Sequence, residues 1–226
     1  MRISQDEWPL DEAKMCGIVA RESPDVIICG AEPITADVLR ASKKLGMVMK
    51  HGVGVDNIDL DAAASLGIAV ANTPGANNTS VADFTVAAML ALLRNLCEAH
   101  QETKAGFWRH YMGHELGRMR VGVIGTGNVG AEVVKRLYGF GATILAFDVV
   151  QNPGLISEYG VHYVTLEELL ETSDIITLHV SLTNETRGMI GRQELQRMKK
   201  TALLINAARG ELVDEDALYE HLKAGR

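Results

Sequence analysis

Short apolar runs alternate along this chain with segments whose apolar residues recur at helical spacing, the sequence form of a parallel sheet joined by crossover helices. Three strands are predicted in the first third, at Val26–Cys29, Met47–Lys50 and 68–71. Between them, Thr35 opens a helical stretch that runs through Leu45 and stops at Gly46, and Asp59 opens another that ends at Gly67. Both have a polar start and a glycine finish. The 24 residues ahead of Asp25 read as a loop and one helix. A second series follows, with strands near 121–124, Thr143–Phe147, 162–164, 175–179 and 202–206 and helical stretches between them.

Between the two series, the turn-forming run TPGANNTS (73–80) gives way to VADFTVAAMLALLRNL (81–96), whose apolar residues surround most of the helix circumference. Such a helix is expected to be buried between two bodies, so the domain boundary is placed there. No repeat of fixed period and no low-complexity tract interrupts the pattern.

Composition narrows the function classes. The 226 residues carry 22 Lys+Arg against 29 Asp+Glu, a net charge of −7, and the longest basic cluster is 197–200 at a helix end, which argues against nucleic-acid binding. With 47% hydrophobic and 23% charged residues the chain is of ordinary globular type. Its longest apolar stretch, 86–93, falls far short of the roughly 20 residues of a bilayer-spanning helix, so no membrane partner is expected. The opening MRISQDEWPLDEA lacks the positive end and apolar core of a secretory signal, which gives a cytoplasmic expectation. Cys16, Cys29 and Cys97 are odd in number and far apart, and read as reduced packing residues. The spacing of His51, His100, His110, His114 and His162 suits no metal centre, so none is expected.

The sharpest chemical signal is VGVIGTGNVGAEVVKRL, a β run followed by Gly125-Thr126-Gly127-Asn128-Val129-Gly130 and then a helix. The first glycine permits the tight turn, the second lets a pyrophosphate approach the backbone, and the third lets helix and strand pack closely, while the helix N-terminus offers N–H groups to the phosphates. A lone GxGxxG is weak, but this one is followed by a strand ending in Asp148, 23 positions beyond Gly125. That is near the spacing of about 20 at which a carboxylate meets the adenosine ribose. It would repel a 2′-phosphate, and Val149, Val150 and Gln151 supply no arginine to receive one, so NAD is preferred over NADP. The plain alternative is a glycine-rich helix entry beside a surface aspartate.

Five ordered segments then carry a resemblance: HGVGVDNID (51–59), NTPGANNTSVAD (72–83), GTGNVG with Asp148, LHVSLTNETRGMI (178–190) and INAARGELVDEDAL (205–218). Together they resemble the D-2-hydroxyacid dehydrogenases, most closely the phosphoglycerate dehydrogenase branch, from about Asp25 to the last residue. The resemblance implies an α/β protein: a Rossmann-type parallel-sheet NAD-binding domain over 119–226 lacking its final strand, a partial flavodoxin-like substrate domain over 1–80, and a connecting helix with a dimer arm over 81–118. It implies a homodimer and a small 2-hydroxy or 2-keto acid substrate such as 3-phosphoglycerate. Trp108, in the aromatic segment with Phe107 and Tyr111, reads equally as core packing.

By the same resemblance Arg209 is the catalytic arginine, a role that suits a guanidinium able to fork onto a carboxylate and polarise a carbonyl. Val53 and Gly54 would bind the substrate carboxylate by their backbone, with Asn77 along the cleft. Gly125, Gly127, Asn128, Val129, Gly130, Asp148, Ala207, Ala208 and Arg209 would hold the cofactor. His179 is expected to be structural or cofactor-side rather than the general acid. Ser181 replaces the usual proline of relatives, a change confined to local loop geometry. The family's glutamate–histidine pair would fall beyond Arg226, and a first strand and helix of roughly 30 residues before Asp25 has no counterpart here, so a chain shortened at both ends is expected. The second reading is a non-catalytic NAD(H)-binding module, like the NAD-sensing corepressors that resemble this family.

Overall fold

A computed structural model describes residues 10–225. The opening residues as far as Pro9, read above as lacking the features of a secretory signal, and the terminal Arg226 lie outside that range. The described residues form two compact units that divide between Asn77 and Asn78.

In the first unit, helix α1 (Glu12–Glu22) precedes β1 (Val26–Cys29), α2 (Ala36–Arg40), β2 (Met47–Lys50), α3 (Leu60–Ser65) and β3 (Ala69–Ala71). The side chains of Asp11, Thr35 and Asp59 accept the N-terminal amides of Lys14, Val38 and Ala62 at 2.8, 3.4 and 2.8 Å, which is why the three helices start where they do. The strands pair in parallel in the order β1-β2-β3. Ile27, Cys29 and Val48 point into a single core with Val19, Ile34, Val38 and Leu39.

The helix expected to run from Thr35 to Leu45 ends at Arg40. Ser42 diverts the backbone: its buried hydroxyl donates to the Pro24 carbonyl at 3.1 Å and accepts the Lys44 amide at 3.2 Å, local bonds that compete with helical ones.

The second unit contains α4 (Asn78–Leu93), α5 (Leu96–Lys104), a 3-10 turn at Leu116–Arg118, β4 (Arg120–Ile124), α6 (Asn128–Phe140), β5 (Thr143–Phe147), α7 (Pro153–Tyr159), β6 (His162–Tyr163), α8 (Leu166–Thr172), β7 (Ile175–Leu178), α9 (Arg192–Arg197), β8 (Leu203–Asn206) and α10 (Glu215–Lys223). Its five parallel strands lie in the order β6-β5-β4-β7-β8, the Rossmann arrangement in which strand order reverses beside the first strand. One core, with Val121, Val123, Ile144 and Ile175, lies on one face of the sheet. A second, with Ile124, Leu145, Ile176 and Leu178, lies on the other.

Three expectations are corrected here. Helix α4 takes in Asn78, Thr79 and Ser80 from the supposed loop, and it is not buried all round: Ala82, Val86, Met89 and Leu93 are enclosed, but Phe84 and Leu92 are 65% and 53% exposed. Helix α5 buries no residue, so Cys97 on it is exposed and only Cys29 is fully a packing residue. Trp108 is 87% exposed, which removes the core-packing alternative. In the basic cluster, Arg197 and Lys199 pair with Glu171 and Asp174. Among the described residues no single helix is long and apolar enough to cross a membrane.

Candidate functional site

Because every strand of the five-stranded sheet runs the same way, the loops after β4, β5, β7 and β8 leave from one edge. These loops carry Gly125, Asp148, His179 and Arg209. The Gly125 amide donates to the Phe147 carbonyl at 2.9 Å and the His179 amide to the Ile124 carbonyl at 2.7 Å, so the three inner loops are tied to one another.

The glycine roles expected from the motif have distinct physical grounds. Gly125 has φ +91°, and a Cβ there would meet the His179 carbonyl carbon at 2.7 Å. At Gly130 a Cβ would meet the Gly125 carbonyl oxygen at 1.9 Å, a backbone atom that cannot give way. At Gly127, by contrast, a Cβ would meet nothing within 4 Å. The first and last glycines are therefore demanded by the turn itself. The middle one keeps open space in front of α6, whose first residues are Asn128 and Val129. Open backbone at the N-terminus of a long helix fits a pyrophosphate, so the residues present suit a dinucleotide.

Asp148 follows β5 and faces this turn. Its Oδ2 accepts the Thr126 amide at 2.6 Å and the Thr126 hydroxyl at 3.0 Å, and its Oδ1 accepts the Val150 amide at 3.3 Å. Burial pushes the carboxyl upward, but the donors from Thr126 and Val150 outweigh it and hold the pKa below the ordinary aspartate value. Asp148 also lines a cleft of about 680 Å³ with Phe147, Gln151, Tyr163 and Val164. Tyr163 and Thr126 escaped the sequence reading. The Tyr163 hydroxyl donates to Thr126 Oγ1 at 2.8 Å, reaching from β6 past β5 to the loop after β4.

His179 sits behind the glycine turn with Nε2 2.9 Å from the buried Thr177 hydroxyl. Burial pushes its imidazole down to about 4, so it is neutral at pH 7. A neutral, buried ring keeps one N–H for hydrogen bonding but is not the imidazolium a general acid requires, in line with the structural or cofactor-side expectation.

Arg209 is half-buried at the start of the 3-10 turn Gly210–Leu212. Asn206 braces the segment: its side chain donates to the Arg209 carbonyl at 2.7 Å and accepts the Ala208 amide at 3.1 Å. The guanidinium Nη1 donates to the Ala208 carbonyl at 2.9 Å. Ala207 and Ala208 are half-buried in the same loop.

Val53, Gly54 and Asn77 belong to the first unit. The loop after β2 is pinned by Asn72, whose side chain donates to the Val53 carbonyl at 2.7 Å, and by the Thr73 hydroxyl, 3.1 Å from both the Gly52 amide and the Gly52 carbonyl. Behind it the buried Lys50 ammonium donates to Asn57 Oδ1 at 2.6 Å and to the Gly30 carbonyl. Val53 and Asn77 are exposed and Gly54 is half-buried.

Residues 86–226 match the family described as D-isomer specific 2-hydroxyacid dehydrogenase, NAD binding domain. Among curated proteins, the glyoxylate reductase of Korarchaeum cryptofilum is 44% identical over 200 residues, covering 86% of this chain and 60% of that protein. The D-3-phosphoglycerate dehydrogenase of Archaeoglobus fulgidus is 42% identical over 203 residues, covering 89% of this chain and 38% of that one. This chain thus spans less than two thirds of the length of these relatives. Among solved structures, the D-lactate dehydrogenase of Aquifex aeolicus complexed with NAD and lactic acid superposes with a TM-score of 0.85 at 33% identity, covering 99% of this chain and 72% of that one. NAD is the cofactor of this domain family. The chain belongs to the D-2-hydroxyacid dehydrogenases, and the Rossmann-type unit just described carries their NAD-binding domain.

Proposed function

We propose that this chain is the NAD-binding and partial substrate-binding portion of an oxidoreductase acting on a small D-2-hydroxy acid or its 2-keto counterpart, 3-phosphoglycerate being one candidate. The relatives' names, glyoxylate reductase and D-3-phosphoglycerate dehydrogenase, support the acid class and leave its size open. The observation that carries the reading is the shared edge of the five-stranded sheet, which brings the glycine turn, Asp148 and Arg209 to the side where α/β sheets bind ligands.

Gly125, Gly127, Asn128, Val129 and Gly130 hold the pyrophosphate, Asp148 the adenosine ribose, and Ala207 and Ala208 line the cofactor. When bound, NAD supplies the hydride acceptor, and NADH the donor. Arg209 forks onto the substrate carboxylate and polarises the adjoining carbonyl; Asn206 fixes the backbone from which it extends, and the Nη1 bond to the Ala208 carbonyl restrains the side chain itself. Val53 and Gly54 receive the carboxylate through their backbone, and Asn77 lies along the substrate path. His179 is given no part in proton transfer. The domain assignment follows: substrate side over 1–80, connector and arm over 81–118, cofactor side over 119–226. The exposed Phe107, Trp108 and Met112 support a homodimer, tested by sedimentation of the chain against a variant with all three replaced by Ser.

Calorimetric titration of NADH into the folded 226-residue chain tests the reading. Binding is expected, and Arg209→Gln should weaken oxamate, a 2-keto acid mimic, about 10- to 100-fold on the NADH-loaded chain, the value of a charge-assisted contact. No heat with NADH, or oxamate binding indifferent to Arg209, would overturn it.

A further inference from the structure

The hydrogen bonds that end on Asp148 form a chain of fixed polarity. The Thr126 hydroxyl has one proton and gives it to Asp148 Oδ2 at 3.0 Å, so toward Tyr163 it can only accept. The Tyr163 hydroxyl also has one proton and gives it to Thr126 Oγ1 at 2.8 Å, so toward the Asn152 amide, 3.0 Å away, it too must accept. The protons of Asn152, Tyr163 and Thr126 therefore all point along one line toward the carboxylate. Thr126 is 4% exposed, which keeps water from replacing these partners.

The consequence is an unequal carboxylate. Oδ2 takes two donors from Thr126, one of them at 2.6 Å, whereas Oδ1 takes the Val150 amide at a longer 3.3 Å, with the Val149 amide also acting on the carboxylate. The oxygen with spare lone pairs is Oδ1. None of the donors in the chain is left over for a phosphate, because each is spent on the next acceptor.

We propose that Tyr163 is a positioning residue for the cofactor-side carboxylate and a determinant of the preference for NAD over NADP, acting through Thr126 to hold Asp148 with Oδ1 presented to the ribose. The inference rests on the reading of Asp148 as the ribose ligand. Removal of the Tyr163 hydroxyl leaves Thr126 free to rotate and to offer its proton elsewhere, which loosens Asp148 and weakens the exclusion of a 2′-phosphate together.

The test is titration of NADH and NADPH into the full chain, followed by nicotinamide fluorescence. Tyr163→Phe should lower the ratio of NADH to NADPH affinity about fivefold, the effect of one neutral hydrogen bond. Asp148→Ala should lower it further, and adding Tyr163→Phe to Asp148→Ala should change it by less than about twofold, since the tyrosine acts only through the carboxylate. Thr126→Ser, which keeps the hydroxyl, should preserve the ratio that Thr126→Val loses; this pair carries the test if Tyr163→Phe does not fold. An unchanged ratio in Tyr163→Phe, or an equal loss with and without Asp148, overturns the inference alone. NADH affinity indifferent to Asp148→Ala overturns the ribose reading and the inference with it.

Discussion

Strand β1 in the first unit reads VIIC and strand β7 in the second reads IITL, two short runs that a pattern reader treats alike. All four positions of β7 are buried, but in β1 burial alternates, with Val26 50% and Ile28 74% exposed. The cause is the number of cores. Ile175 and Ile176 are neighbours in sequence and enter different clusters, because each face of the five-stranded sheet has its own. The three-stranded sheet packs one face against one cluster, and every second residue of β1 is left outside it. A parallel sheet covered on both faces can hold a fixed loop at its edge, and the glycine turn sits at that edge.

The comparison can be broken at four points. The largest effect is expected from Gly130→Val, whose Cβ would strike the Gly125 carbonyl oxygen at 1.9 Å. NADH binding should fall more than about 100-fold with a loss of stability above about 3 kcal/mol, both read by titration and urea melts, since two backbones must part. Ile176→Ala, which empties a fully buried site in the second core, should cost about 2–5 kcal/mol in the same melts.

The pH dependence comes next. His179 has its pKa depressed to about 4 in the folded state, against the ordinary 6.5. Between those values the unfolded chain binds the extra proton, so stability is full above about pH 6.5 and is lost as pH falls toward 4. The loss from this group should be about 2 kcal/mol at pH 5 relative to pH 7, and His179→Gln should flatten that part of the profile. The smallest change is expected from Ile28→Thr, within about 0.5 kcal/mol of the parent because the side chain stands in solvent. If Ile28→Thr proved as costly as Ile176→Ala, the contrast between the two sheets would be lost.

How far the sequence carried the site depends on the kind of contact. The glycine turn and Asp148 were legible because a local motif and a short spacing mark them, although the groups that press on Gly125 and hold Asp148, namely His179 and Thr126, come from other loops. Arg209 was legible by resemblance, and its place after β8 by the strand pattern, but the Asn206 brace was not. Tyr163 was invisible: it lies 37 positions from Thr126, and nothing in a sequence says that β6 lies two strands from β4. The helix from Thr35 was overextended because Ser42 turns the backbone through a bond to Pro24, 18 positions away.

By itself the sequence determined the strand–helix alternation, the glycine turn and the family, since all three are written in local periodicity and in residues with few conformational substitutes. Only the tertiary structure decided which apolar runs are covered on both faces, which side of α4 meets solvent and which oxygen of Asp148 stays available. Those outcomes depend on what packs or hydrogen-bonds from elsewhere in the chain, and burial and proton direction are properties of the assembled neighbourhood.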